Sequence, residues 1–134
     1  KYIMNRKLDK ILAEISAGEL IDKITILEIK KVKISDKIKF IEIEKELDSL
    51  NITFKNSIND MSEILTLKDE LKKINLKLWD IEDGKRLAEK NKNFDDKFIE
   101  LARNVYKFND ERAKIKLKIN QLLGSNIKEI KSHF

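Results

Sequence analysis

Residues 64–88, ILTLKDELKKINLKLWDIEDGKRLA, and 98–122, FIELARNVYKFNDERAKIKLKINQL, decide how this chain folds. In the first, Ile64, Leu67, Leu71, Ile74, Leu78, Ile81, Lys85 and Ala88 recur in alternating steps of three and four. Phe98, Leu101, Val105, Phe108, Arg112, Ile115, Ile119 and Leu122 do the same in the second. Such spacing keeps one stripe of a helix apolar and suits a coiled-coil-like seam. Folding the two stretches back about Asn91-Lys92-Asn93 sets 88 against 98, 81 against 105, 74 against 112 and 64 against 122, so one register serves every layer. An antiparallel helical hairpin of residues 61–90 and 95–123 follows, with Asp95 as a helix N-cap and Gly124 as the left-handed terminator. In that register Lys77 faces Glu111, Glu70 faces Lys118, Asp83 faces Arg103 and Arg86 faces Glu100, all opposite in charge.

Toward the N-terminus, Ser16-Ala17-Gly18-Glu19 has the form of a capping box, in which Ser accepts from the third helical amide and Glu reaches back to the amide of Ser16. From Ala17 on, Leu20, Ile21, Ile24, Ile26, Leu27, Ile29, Val32 and Ile34 occupy most of the helix circumference, which predicts burial on more than one side and a central place in the fold. Ser35-Asp36 offers a break or kink, after which Phe40, Ile43, Leu47, Leu50 and Phe54 continue the periodicity. Residues 17–50 therefore read as one long or kinked helix lying in the groove of the hairpin. Asn51, Asn56, Ser57 and Asn59 mark the following loop, and Asp60-Met61-Ser62-Glu63 carries the next N-cap signal. The expected class is all-α, an antiparallel three-helix bundle forming a single domain over 1–134. Residues 1–15 are a lead-in whose Leu8, Ile11, Leu12 and Ile15 fit either an extended strand or a helix, and the tail 125–134 has room for one short helix.

Composition excludes much chemistry. The chain has 134 residues with no Cys, no Pro and one His, at position 133. A disulfide framework, a thiolate metal site, a thiol nucleophile and a His-centred triad are all absent. No cofactor and no metal is expected. With 41% hydrophobic residues the chain has material for a core, and no apolar run is long enough to span a bilayer. A soluble, cytoplasmic protein is the expectation. The net charge of +5 comes almost wholly from Lys: of 29 basic residues only Arg6, Arg86, Arg103 and Arg112 are Arg. Because a planar guanidinium is not replaced by Lys in bidentate pairing, these positions carry more information than the charge itself.

The densest polar constellation is Trp79, Glu82, Asp83 and Arg86 facing Arg103, Tyr106, Asn109 and Asp110. It reads first as ion pairs closing a helix-packing groove, and second as a small anion pocket built on Arg86, Arg103 and Tyr106. Arg112 occupies a seam position opposite Ile74, so its stem should pack while its head reaches a carboxylate on the first helix, Asp22 or Glu28. Glu19 and Asp22 are the natural partners of whatever the groove contains. Lys114, Lys116 and Lys118 alternate around their helix rather than lining one face, which makes nucleic acid the weakest partner reading.

Three segments, Ser16–Lys30 (SAGELIDKITILEIK), Leu78–Arg86 (LWDIEDGKR) and Phe94–Ser132, together resemble a bacterial domain-of-unknown-function family of short, soluble, helical proteins. The resemblance runs from about Ile11 onward. It implies an all-helical domain with no established activity, and it assigns no role to His133, where the family pattern carries Tyr. The function expected is a non-enzymatic helical interaction or scaffold module that self-associates, with a dimer favoured. The alternative is a nucleotide or sugar phosphate held between the first helix and the hairpin.

Overall fold

The computed structural model describes residues 7–59 and 62–131. Among the described residues the chain is all-α, with four helices: α1 (Ala17–Lys33), α2 (Lys37–Ser57), α3 (Ser62–Asn91) and α4 (Asp96–Leu123). The long helix expected over 17–50 is two helices, because Ile34 and Asp36 are extended and Asp36 caps a new helix, its Oδ1 accepting from the Lys39 amide at 2.9 Å. An Asp that satisfies the first free amides competes with helix continuation. The chain turns back there, and α2 packs antiparallel on α1, with Lys31 paired to Glu44 and also set over the Phe40 ring. α2 also runs on to Ser57, so the Asn and Ser cluster at 51–57 is helical and not loop.

α3 and α4 form the second antiparallel hairpin. Gly84 lies against Leu101, and Lys77 sits over the Phe108 ring at 5.1 Å, both within one residue of the expected register. Asp95 caps α4 through the Phe98 amide. Both hairpin helices end in a left-handed residue, Gly124 at φ 62° and, with no Gly available, Lys92 at φ 53°. At each end the next amide bonds back across the turn, Ser125 to the Asn120 carbonyl and Asn93 to the Ala88 carbonyl. The tail forms no helix over 125–131, and 7–15 forms neither helix nor strand. Asp60, Met61, Arg6 and His133 lie outside the described residues.

α1 is the central element and packs on each of the other three helices. Its N-terminal Gly18 lies on Lys116 and Asn120 of α4, its middle meets Asn75 and Arg112, and its C-terminal half pairs Glu28 with Lys68 and Lys72 of α3. Those partners occupy one short stretch of the hairpin. α1 therefore crosses from α4 to α3 instead of running along the groove, which corrects the three-helix bundle. The shared core lies at this crossing: Leu20, Ile21, Ile24 and Leu27 of α1, Ile43, Leu47 and Phe54 of α2, and Ile64, Leu71 and Ile119 of the hairpin. Past Asn75 and Asn109 the hairpin continues as a free arm of residues 76–91 and 96–108, about 24 Å long at 1.5 Å per residue.

Candidate functional site

The charged centre of the molecule forms where α1 crosses the hairpin. Asp22 is fully buried, and a buried carboxylate is tolerated only when paired and hydrogen-bonded. Arg112 supplies both through its fork: Nε donates to Oδ1 at 3.0 Å and Nη2 to Oδ2. Asn75 Nδ2 donates to Asp22 Oδ1 and to Thr25 Oγ1, each at 2.9 Å, and the Thr25 hydroxyl donates to the Asp22 carbonyl. Lys116 extends the cluster, with its Nζ 2.6 Å from Glu19, 3.3 Å from Glu129 and 3.8 Å from Asp22. No buried side-chain polar atom among the described residues lacks a partner.

Electrostatics follow from this arrangement. The hydrogen bond to Asp22 raises the Arg112 pKa above its ordinary value, more than burial lowers it, with the charges of Asp22, Glu19 and Glu129 adding in the same sense. Burial pushes Lys116 down. The Glu19 hydrogen bond and the charges of Asp22, Glu19 and Glu129 together outweigh that, and its pKa is raised overall. Both groups are held firmly cationic.

A second set of polar contacts docks the start of α1. The Ser16 hydroxyl accepts from the Glu19 amide and donates to Glu129 Oε1, Asn120 Oδ1 accepts from the Gly18 amide at 2.6 Å, and Ser125 Oγ accepts from the Ala17 amide at 3.1 Å. The amides that a helix start leaves open are thus met by side chains from the far end of the chain. Glu19 does not close the expected capping box; it turns to Lys116 and Lys23.

Of the residues singled out from sequence, Glu19, Asp22, Asn109 and Arg112 come together here, Arg112 Nη1 pointing at Asn109 Oδ1 at 3.5 Å. The others stand apart. Asp110 pairs with Lys131 of the tail. Trp79 is half-buried on the arm, while Asp83, Arg103 and Tyr106 are exposed there. Arg86 pairs with Glu82 one turn away on its own helix. Among the described residues the expected pairs Asp83–Arg103, Arg86–Glu100, Lys77–Glu111 and Glu70–Lys118 are not formed: Lys77 lies over the Phe108 ring, Arg86 takes Glu82, and the others are exposed. Asn75, Lys116, Asn120, Ser125 and Gly18 matter more than their sequence signal indicated. Asn75 and Asn120 directly follow the seam residues Ile74 and Ile119, but in a chain rich in Asn that adjacency does not stand out.

Among the described residues no group of three or more His, Cys, Asp or Glu is placed to hold a metal ion, and no helix is long and apolar enough to cross a membrane. The model of a family of unknown function (DUF6165) matches residues 11–133, and the chain belongs to that family. The match begins where the sequence resemblance begins. No curated protein and no solved structure matches the chain.

Proposed function

We propose that this family member is a non-catalytic helical interaction module that self-associates as a dimer through its free arm. The carrying observation is the arm itself: α1 covers only one half of the α3–α4 hairpin, and the other half presents Leu87, Ile99 and Tyr106 at 59%, 50% and 55% exposure. Two helices alone bury only one seam, and a second pair of helices is what such an arm lacks. The polar centre points the same way, since its charges are paired with one another. Multi-angle light scattering over a concentration series should give a mass rising from one chain toward two; a single-chain mass at every concentration removes the self-association.

A second reading, a small anionic ligand, is favoured by a cavity of about 450 Å³ between α4 and the tail, where Lys114, Lys116 and Lys131 outnumber the acids Asp110 and Glu129 beside Ala113, Leu117 and Ile130. Under that reading millimolar inorganic phosphate raises the melting temperature, and Lys116→Met abolishes the rise. An unchanged melting temperature counts against it. Arg86 and Arg103 do not line this cavity.

A further inference from the structure

We infer that the dimer forms on the arm face that continues the α1 crossing, with the second copy docked antiparallel about a two-fold axis at the level of Ala102. This rests on the self-association proposed above and adds its surface and geometry. On α3, Asn75, Trp79, Glu82 and Arg86 recur at steps of four, three and four, so they share the face that α1 covers at Asn75. On α4, Lys116, Asn109 and Ala102 recur at steps of seven and share the face that α1 covers at Lys116. The groove that α1 enters therefore runs on into the arm without it. Its floor there is Ala102, small and exposed, flanked by Ile99, Tyr106 and Trp79.

Three features select a second copy, and an antiparallel one. First, α1 stands on this same face at the base of the arm, so two parallel arms would drive their α1 helices into each other. Antiparallel arms put each α1–α2 hairpin beyond the tip of the other arm, and the midpoint of the free arm falls at residue 84 on α3 and 102 on α4. Second, the face is self-complementary about that midpoint. Tyr106 meets Ile99 of the second copy, both on the flank of α4 away from the seam, and Glu82 meets Arg86. Glu82 and Arg86 are 53% and 79% exposed in the single chain, and each is free to exchange its neighbour for the copy across the axis. Third, a face about 24 Å long and two helices wide buries on the order of 1,000 Å² in total. That sits at the lower bound for a specific interface, so the dimer is reversible.

The chain has no cysteine of its own, so single cysteines report the geometry directly. On a two-fold axis a residue meets its own copy, and Ala102→Cys should form a disulfide-linked dimer under mild oxidation. Lys107→Cys, on the opposite side of α4, should form no disulfide-linked dimer. Glu82→Arg should weaken the dimer at least about tenfold through repulsion with Arg86, and Glu82→Arg/Arg86→Glu should restore it. Circular dichroism of each variant checks that the helices persist. A dimer by light scattering that cross-links through Lys107→Cys, or equally through both, overturns this face while leaving self-association intact. A chain that is monomeric at every concentration overturns both.

Discussion

Arg112→Met should destabilise the fold by about 3–5 kcal/mol in chemical denaturation, the cost of leaving a buried carboxylate without its cation. Asp22 is fully buried, and its remaining partners would be one Asn amide and a Lys nitrogen 3.8 Å away. Arg112→Lys should recover only part of the loss, since a single ammonium cannot make both contacts of the planar fork. The double variant Asp22→Asn/Arg112→Met should be more stable than Arg112→Met alone, because the buried charge has gone with its partner. If the double variant costs the sum of the two single losses, the pair is not what joins α1 to α4.

The pH dependence of this centre lies on the alkaline side. Lys116 has a raised pKa in the folded chain, so its contribution is fully present below the unfolded value of about 10.4 and is lost as pH rises through the higher folded value. The stability difference between the native chain and Lys116→Met should therefore be constant through neutral pH and narrow only in strong alkali.

Gly18→Ala is the second large effect expected. A Cβ at this position would lie 2.5 Å from the Lys116 carbonyl oxygen and 2.9 Å from Asn120 Oδ1. The first is helix backbone, and the second is held by its bond from the Gly18 amide, so neither can step aside. α1 and α4 would have to separate, pulling on the Asn120 contact and the Asp22–Arg112 pair together. We expect a loss of about 3 kcal/mol, against a helix-propensity gain for Ala of no more than about 1 kcal/mol. Gly84→Ala is the matched control. Its Cβ would meet only the Leu101 Cδ1, at 3.0 Å, the end of a side chain able to rotate, so it should be neutral or slightly stabilising. Equal effects at the two glycines would mean that the α1–α4 approach is looser than these distances.

The hairpin was legible because its information is local and repeated. Apolar side chains at steps of three and four must share a helix face, and seven or eight consecutive layers leave little room for a different register. Capping was legible for the same reason: Ser16 and Asp95 each act on an amide three residues away. The polar centre was legible only where its chemistry was unusual. Arg112 stood out as a cation in an apolar seam and does reach one of the two carboxylates open to it. The arm cluster around Trp79 and Arg86 was dense in sequence, yet Arg86 pairs with Glu82 on its own helix and Asp83 and Arg103 are exposed without meeting.

What the amino-acid order determined by itself was the helical class, the antiparallel register of α3 and α4, and the residues that start α1 and that start and stop α4. Each of these is settled by side chains within a turn or by a long periodic stripe. Only the tertiary structure decided that α1 ends at Lys33 and doubles back as α2, that α1 crosses the hairpin, and that Gly18, Asn75, Asn120 and Ser125 are the points where it is held. Those contacts join residues as many as 108 positions apart. No local period encodes such a meeting, and a small polar residue that satisfies a distant helix end looks, in sequence, like any other.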